Sequence, residues 1–254
     1  GGRDELADLA RDFNRMAGAL QEAEQRRHDF LAGVTHEMRS PLSAAISTLE
    51  LMREQGAGAP PAEQAESVAR AQGALRRLQR FVDDLLTVAS LAGDRLALQK
   101  ESVDLVPVLQ EIVDQRRSEA TLSGITLNLE VNGGIPKVLA DRDRLAQAVD
   151  NLLGNALKFT PAGGRVRVRV VHDPTAGVRI SVSDTGPGMS SEFAPKAFEA
   201  FSQDPDAQKL VRGRKGVGLG LAMVKGIAEQ HGGTIRAETG PEGGAAFHLT
   251  LPIA

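Results

Sequence analysis

The sequence predicts a multi-domain protein: an α-helical hairpin that pairs with a second copy into a dimeric four-helix bundle, followed by an α+β sandwich. Three observations lead to this fold class. Apolar residues recur at helical spacing over the first ninety positions. A segment rich in Gly and Pro at 56–61 interrupts that pattern and predicts a turn. From position 100 onwards, short β-type runs alternate with helical patterns.

Apolar stripes define the helices of the first part. A coiled-coil seam covers residues 6–23, and a second stripe continues from 31 to 52. A third stripe at 68–89 predicts the second helix. Two such helices have more apolar surface than one hairpin can bury, so we expect a homodimer through the hairpin. A monomeric hairpin lying on the second part is the alternative.

The second part mixes helices with strands, which indicates helices on one face of a mixed sheet. The predicted helices are Leu105–Ala120, Arg142–Phe159 and Leu219–Gln230. The predicted strands are Ile125–Val131, Val166–Val171, Val178–Val182, Thr234–Ala237 and Ala246–Leu251. The segment 189–215 has little periodicity, which is typical of a lid or of a disordered stretch.

Composition limits the classes of function. The 254 residues contain no Cys, which argues against a disulfide scaffold and a thiolate metal site. A net charge of −3 gives no basic field, so no nucleic-acid partner is expected. No apolar run approaches the roughly 20 residues that span a bilayer, so we expect this chain to be soluble.

The segment His36-Glu37-Met38-Arg39-Ser40-Pro41-Leu42 contains the strongest chemical signal. A proline inside a helix costs roughly 3 kcal/mol and persists only where something else favours it. His36 lies two positions from the apolar residues Val34 and Met38, so it faces away from their stripe. A neutral imidazole is a good nucleophile near neutral pH. We interpret His36 as the acceptor of a phosphate, with an ordinary surface histidine as the alternative.

A second motif lies on the helix predicted at 142–159. Asn151, Asn155 and Lys158 share one edge of this helix, apart from its apolar face. Amide oxygens can ligate a hard cation such as Mg²⁺, and an ammonium group can neutralise phosphate charge. The edge therefore suits a polyphosphate bound with Mg²⁺, although a solvated polar face would have the same composition.

Two glycine-rich segments complete the pattern. Asp184-Thr185-Gly186-Pro187-Gly188-Met189 follows a predicted strand, where a carboxylate can accept a hydrogen bond from an exocyclic amine such as that of adenine. An ordinary turn is the alternative. Gly216-Val217-Gly218-Leu219-Gly220-Leu221 leads into a helix whose free N–H groups can bind phosphate. Arg212, Arg214 and Lys215 lie just upstream and either reach the terminal phosphates or keep the loop soluble.

Together these motifs resemble those of bacterial sensor histidine kinases of two-component systems. Residues 30–42 resemble the phospho-acceptor box, and 151–161 the asparagine box. Residues 184–189 and 216–221 resemble the two glycine boxes, with Phe198-Glu199-Ala200-Phe201 between them similar to the phenylalanine box. The motifs follow one another in the family's order.

The resemblance implies three regions. Residues 1–24 would be the C-terminal helix of a HAMP-like linker, 25–93 the hairpin for dimerisation and histidine phosphotransfer, and 100–254 a Bergerat-type catalytic ATP-binding domain. HAMP linkers usually follow a transmembrane helix. The resemblance thus implies the cytoplasmic portion of a bacterial inner-membrane receptor.

The resemblance also implies an ATP-dependent protein histidine kinase. ATP would phosphorylate His36 with Glu37 as base, and the phosphate would pass to an aspartate of a response regulator. Asn155 would ligate Mg²⁺, Asn151 and Lys158 would lie near the phosphates, and Asp184 would bind the adenine amine. The remaining nucleotide-binding residues would be Gly186, Gly188, Arg212, Arg214, Gly216, Gly218, Leu219 and Gly220.

Ser40 departs from the commoner family pattern, in which Thr or Asn supports phosphatase activity toward the regulator. A serine hydroxyl could still orient water, so this activity stays open. Two other functions are also consistent with a nucleotide fold: a catalytically silent nucleotide-binding dimer, and an ATPase related to chaperones or topoisomerases. The His36–Glu37 pair and Asn155 argue against the first, and the histidine-bearing hairpin argues against the second.

Overall fold

A computed structural model describes residues 2–55, 60–92, 98–190, 192–204, 218–240 and 242–253. Within the first two helices, some side chains lie outside the description, including those of His36 and Glu37. The chain divides into two compact units, Gly1–Phe81 and Val82–Ala254.

The first unit is a helical hairpin. Helix α1 spans Gly2–Gln55, and helix α2 spans Pro61–Ala92. The last turns of α2, from Val82 onwards, belong to the second unit. Pro61 occupies the first helical position, where its missing N–H costs nothing. The amides of Glu63 and Gln64 donate to the carbonyl oxygen of Pro60 at 3.0 and 3.2 Å. The predicted hairpin is therefore confirmed.

Small residues and Phe81 form the buried face of the hairpin in the part that the structure describes. Ser67, Ala71 and Ala74 follow one another at steps of four and three on α2 and are buried, as is Ala45 on α1. The predicted stripe of α1 is largely uncovered in the single chain. Its exposed fractions are 52% for Leu31, 37% for Met38, 46% for Leu42 and 54% for Leu49.

The described residues of the second unit form three longer helices and seven strands. The helices are α3 (Leu105–Leu122), α4 (Arg142–Phe159) and α5 (Gly220–Gln230). Aspartates cap two of them, since Asp104 accepts from the amide of Val106 and Asp141 from that of Arg144, each at 3.1 Å. The strands are β1 (Glu101–Val103), β2 (Thr126–Asn132), β3 (Val138–Ala140), β4 (Arg165–Asp173), β5 (Gly177–Asp184), β6 (Thr234–Thr239) and β7 (Ala245–Leu251).

Five of these strands form one mixed sheet in the order β2-β4-β5-β7-β6. Strands β2 and β4 are parallel, and the other neighbours are antiparallel. Strands β1 and β3 form a separate antiparallel pair. In β5, the alternating residues Val178, Ile180 and Val182 are buried, and they are followed at the end of the strand by Asp184. The sheet therefore points apolar side chains at the helices and ends one central strand with a buried carboxylate.

The three helices cover one face of the sheet and form the core with it. Leu145, Leu152 and Leu153 of α4 and Met223 and Ile227 of α5 are almost completely buried. The opposite face has polar side chains, including Arg165, Arg167 and Arg169 at alternate positions of β4. A helical layer on a mixed sheet is the architecture that the sequence predicts.

The predicted elements of the second unit match observed ones within a few residues. Strands β1 and β3 were not predicted, because three-residue strands have no periodicity of their own. The described part of the predicted lid contains a short 3₁₀ helix, Ala194–Lys196. Among the described residues, no helix is long and apolar enough to cross a membrane.

Candidate functional site

The predicted phospho-acceptor lies within α1. The helix runs without interruption from before His36 to beyond Pro41. Pro41 has no N–H, so the carbonyl of Glu37 lacks its usual helical donor. Thr35 donates its hydroxyl to the carbonyl of Leu31 at 2.9 Å, and Ser40 is exposed. The side chains of His36 and Glu37 lie outside the described residues, so their pairing stays a prediction.

Helix α4 presents two amides at one edge. Asn151 and Asn155 are half-buried, in contrast to the fully buried Leu152 and Ala156 beside them. Asn151 donates its Nδ2 to the carbonyl of Gln147 at 3.2 Å, so its Oδ1 takes no part in this bond. Asn155 makes no hydrogen bond within the described part of the chain. Its amide is therefore available to a ligand.

Lys158 lies one turn beyond these amides. Its Nζ is 4.5 Å from the centroid of the Phe159 ring, a cation–π distance. Lys158 is also the only basic residue in the last turn of α4. It thus adds positive charge to the same helix as the two amides.

The first turn of α5 lies directly against Asn151. A Cβ atom on Gly220 would be 2.6 Å from Oδ1 of Asn151 and 3.9 Å from Nδ2 of Asn155. Leu219, at the N-cap position, is buried and offers no side-chain cap. The first amides of α5, which have no side-chain cap among the described residues, therefore adjoin the two amides of α4, an arrangement that suits a polyphosphate.

Gly218 enters this turn with a φ of +75°. Its carbonyl accepts from the amide of Phe201 at 2.8 Å, and Phe201 itself has a φ of +63°. A Cβ on Gly218 would be 2.7 Å from the carbonyl oxygen of Ser202, so only glycine fits. The predicted residues Arg212, Arg214 and Gly216 lie outside the described residues.

Asp184 ends β5 and is 6% exposed. Its Oδ1 accepts from the amide of Gly186 at 2.8 Å and from the amide of Ala245 at 3.2 Å. Burial raises the pKa of the Asp184 carboxyl, while these two hydrogen bonds act in the opposite direction. Because both bonds go to Oδ1, Oδ2 has no hydrogen-bond partner among the described residues and can accept one from a ligand.

The two predicted glycines after Asp184 allow close backbone packing. A Cβ on Gly186 would be 2.7 Å from the carbonyl oxygen of Phe159, at the end of α4. Gly188 has a φ of +77°, and a Cβ there would be 2.9 Å from the carbonyl oxygen of Gly244. The Asp184 loop thus contacts the C-terminal end of α4 on one side and the β6–β7 turn on the other.

Helix α4 therefore connects the two predicted halves of the site. Gly220 lies against Asn151, and Gly186 lies against Phe159, eight residues further along. Eight helical residues span about 12 Å. This separation allows a base at one end of a nucleotide and phosphates at the other.

Two features at this site were not predicted. The amide of Ala245 orients Asp184, and Gly244 packs against the backbone of that aspartate. The Gly243-Gly244 pair before a predicted strand was a visible sign of a tight turn. Its target could not be predicted, because β5 and β7 are neighbours only in the folded sheet. A separate groove of about 210 Å³ between α3 and α4 contains none of the predicted site residues.

No group of three or more His, Cys, Asp or Glu side chains suited to a metal ion occurs among the described residues. The donor set fits Mg²⁺ nonetheless, because Mg²⁺ is commonly held by one protein oxygen together with substrate phosphates and water. The half-buried amide of Asn155 supplies such an oxygen.

Comparisons with known proteins agree with this geometry. The family described as "His Kinase A (phospho-acceptor) domain" matches residues 26–93. The family described as "Histidine kinase-, DNA gyrase B-, and HSP90-like ATPase" matches residues 140–254. The fold and the site thus define an ATPase-type nucleotide-binding domain joined to a phospho-acceptor hairpin.

Whole-chain relatives narrow this class. The chain is 36% identical over 251 residues to the signal transduction histidine-protein kinase BaeS of Escherichia coli K12. The aligned region covers 98% of this chain and 52% of BaeS. The solved mycobacterial sensor histidine kinase MprB is 32% identical with a TM-score of 0.53, over 60% of this chain and 97% of that one. The solved full-length ShkA, in complex with AMPPNP, is 30% identical with a TM-score of 0.64, over 88% of this chain and 46% of that one. The chain belongs to the two-component sensor histidine kinases, and it spans about half the length of BaeS.

Proposed function

We propose that this chain is the catalytic portion of a sensor histidine kinase that transfers the γ-phosphoryl group of ATP to His36. The apposition of Gly220 and Asn151 is the main support, because it joins free helix amides to two side-chain amides. Asp184 lies near the other end of helix α4, and its Oδ2 has no hydrogen-bond donor among the described residues. ShkA, a relative of 30% identity, was solved with AMPPNP, an ATP analogue.

The reaction is a substitution at phosphorus. A ring nitrogen of His36 attacks the γ-phosphorus, the new P–N bond forms, and the bond from phosphorus to the bridging oxygen of ADP breaks. Glu37 accepts the proton that the imidazole loses. The phosphoryl group then passes to an aspartate carboxylate of a response regulator receiver domain: a P–O bond forms and the P–N bond breaks. The imidazole takes up a proton in this step, which regenerates the neutral histidine.

The residues of the second unit position the nucleotide. Asp184 accepts a hydrogen bond from the adenine amine through Oδ2. Asn155, with Asn151 and Lys158 nearby, holds the phosphate end, and the amides of Leu219 and Gly220 donate to it. Mg²⁺ bound by Asn155 would neutralise charge on the phosphates. Arg212, Arg214 and Gly216 are proposed to contact the nucleotide from the loop before α5.

A homodimer through the hairpin is proposed as the functional state. Leu31, Leu42 and Leu49 are about half exposed in the single chain and lie at steps of eleven and seven on α1. A soluble monomer rarely leaves such a row uncovered. Pairing with a second hairpin would bury it in a four-helix bundle.

Further assignments complete the proposal. Residues 1–24 would be the C-terminal helix of a HAMP-like linker, and the parent protein would be a membrane-anchored receptor. Ser40 is exposed four residues after His36, at a position from which its hydroxyl could orient water for dephosphorylation of the regulator. This phosphatase activity accompanies the kinase activity in the proposal.

One experiment tests the central step. The chain is incubated with γ-labelled ATP and Mg²⁺, and the His36→Ala variant is compared with His28→Ala, which removes an exposed histidine from the same helix. We expect acid-labile, alkali-stable label in the wild type and His28→Ala, and none in His36→Ala. Undiminished label in His36→Ala would place the phosphate on another residue.

A further inference from the structure

The β6–β7 turn reaches across the sheet to a strand that is not its neighbour. Glu242 in this turn accepts hydrogen bonds from Nε and Nη2 of Arg165 and, at 3.1 Å, from Nη2 of Arg167. Both arginines belong to β4, which is separated from β7 by β5. The turn therefore folds over the end of β5, where Asp184 lies.

The turn also has a geometry that brings it against Asp184. The amide of Gly240 donates to the carbonyl of Gly244, and the amide of Gly243 to that of Gly240, at 3.0 and 3.1 Å. Gly243 and Gly244 have positive φ angles of 86° and 61°. A Cβ on Gly244 would overlap the carbonyl oxygen of Asp184 and lie 2.7 Å from its Oδ1. The next residue, Ala245, donates its amide to that same Oδ1.

Arg165 is also bonded to the segment that contains Gly186, the other residue whose amide donates to Asp184. Its backbone N–H donates to Oγ1 of Thr185 at 2.9 Å, and its carbonyl accepts from the amide of Thr185 at 3.1 Å. Thr185 immediately precedes Gly186, whose amide is the other donor to Asp184. Arg165 thus anchors both loops that orient the carboxylate. Arg165, Arg167 and Glu242 line a small cavity to which residues 183–185 at the end of β5 also contribute.

We propose that the Arg165–Glu242 pair is a positioning element for base recognition, which holds Asp184 in the orientation that selects a purine with an exocyclic amine. This inference rests on the proposed function, in which Asp184 accepts from the adenine amine. Neither residue touches the nucleotide in this proposal. They act through the amides of Gly186 and Ala245.

The element sets selectivity as well as affinity. A fixed carboxylate accepts from an amine at the 6-position of the purine and opposes a carbonyl oxygen there. If Asp184 spent only a tenth to a third of its time in the competent orientation, the apparent Kd for ATP would rise about threefold to tenfold. Binding of inosine triphosphate, which has a carbonyl at that position, would not suffer from the loss.

The test compares ATP and inosine triphosphate as ligands of the full chain by calorimetry. Glu242→Ala removes the pair, and Glu130→Gln is the matched control, because Glu130 binds Arg167 and Arg169 on the same sheet face without contacting the turn. We expect Glu242→Ala to lower the ratio of ATP to inosine triphosphate affinity about threefold to tenfold. Glu130→Gln should leave the ratio unchanged.

A second variant separates positioning from a general loss of structure. Arg165→Gln retains the backbone bonds to Thr185 and removes only the side-chain contact with Glu242. In the double variant, Arg165→Gln should add nothing to the effect of Glu242→Ala, because the loss of Glu242 already removes the contact with Arg165. For each variant, we expect the KM for ATP in autophosphorylation to rise while kcat stays near the wild-type value.

Two results would overturn the positioning role: a ratio of ATP to inosine triphosphate affinity that Glu242→Ala leaves unchanged, or the same effect from Glu130→Gln. A wild-type chain that binds neither nucleotide would instead refute the proposed function, and the positioning role with it. A wild type that prefers ATP, together with a Glu242→Ala variant of identical preference, would refute the positioning role alone.

Discussion

Gly220 and Asn151 are so close that a Cβ on the glycine would be 2.6 Å from Oδ1 of the asparagine. This contact places the uncapped start of α5 beside the amide edge of α4. The contact partner is a side chain rather than backbone, so an added methyl group would displace Asn151 without unfolding the helix. The relationship therefore gives a direct way to disturb the phosphate end of the site.

We expect Gly220→Ala to lower autophosphorylation on the order of 10- to 100-fold, because a displacement of about 1 Å in a positioning residue has such effects. Gly154→Ala is the control: it lies on α4 between the two asparagines, and its Cβ would meet only Nη2 of Arg116 at 3.7 Å. That change should stabilise the helix by up to about 1 kcal/mol. Equal activity in the two variants would contradict the proposed phosphate site.

Asp184→Asn should separate stability from nucleotide binding. The asparagine oxygen can still accept from the amides of Gly186 and Ala245, but its Nδ2 opposes the adenine amine. ATP affinity should fall about 10- to 100-fold, the value of a hydrogen bond to a charged group. Calorimetric titration with ATP measures this loss, and unchanged affinity would exclude Asp184 as the base-binding residue.

Asp184→Asn should also change how the stability of the fold depends on pH. Burial raises the pKa of Asp184 in the folded state, so the folded state binds the proton more tightly than the unfolded chain. The stability that Asp184 contributes is therefore lost as pH rises from about 4, the ordinary carboxyl value, through the raised folded pKa. Asp184→Asn does not have this loss. Denaturation of both proteins should show the variant gaining relative stability between acid and neutral pH, whereas a constant difference would contradict a raised pKa.

Asn155→Ala should remove activity and retain the fold. Asn155 has no hydrogen-bond partner within the described residues, so its truncation breaks no internal bond. We expect autophosphorylation to be lost at ordinary Mg²⁺ concentrations and partly restored by excess Mg²⁺. Asn128→Ala, at an exposed position of β2, is the matched control. Normal activity of Asn155→Ala at low Mg²⁺ would mean that another group binds the metal.

The pair between Arg116 and Asp150 should stabilise the contact of α3 with α4. Nε and Nη2 of Arg116 donate to the two oxygens of Asp150 at 2.7 and 2.6 Å, and the arginine side chain is 25% exposed. The carboxylate of Asp150 raises the pKa of the Arg116 guanidinium above its ordinary value. Arg116→Met should cost about 1–2 kcal/mol in the free energy of unfolding.

Arg117→Met provides the comparison for this pair. Arg117 is the next residue on α3 and binds Asp114 within the same helix, with both side chains more than half exposed. Its loss should cost at most about 0.5 kcal/mol. Far-UV circular dichroism is the suitable probe, since the chain has no Trp or Tyr. Equal losses in the free energy of unfolding would show that the pair between α3 and α4 is no more stabilising than a pair within one helix.

Much of the fold could be predicted from local patterns. The span of α4 agrees with its predicted limits, because its apolar residues recur at helical spacing and Asp141 provides a cap. Strand β5 was predicted from alternating Val and Ile residues. Strands β1 and β3 were missed, since a three-residue strand is defined by its partner. The sequence contained only a sign of where these two strands end. Asp104 follows β1 and caps α3, and Asp141 follows β3 and caps α4.

The amide edge of α4, which is one half of the candidate site, could also be predicted from a local pattern. Asn151 and Asn155 are four residues apart on one helix, so their shared edge follows from helical geometry alone. The orientation of Asp184 was not predictable, because one of its two donors, the amide of Ala245, is 61 positions away. The contact of Gly220 with Asn151 depends likewise on how two helices pack on the sheet.

By itself, the sequence determined the kinds of chemical group present, their order along the chain and the helices and strands that contain them, because those follow from near neighbours. Only the tertiary structure decided which backbone amides surround the Asp184 carboxylate and which helix start adjoins Asn151. The physical reason is that sheet order and close packing bring distant residues together. Hydrogen bonds such as that of Ala245 to Asp184 exist only once five strands have paired in the order β2-β4-β5-β7-β6.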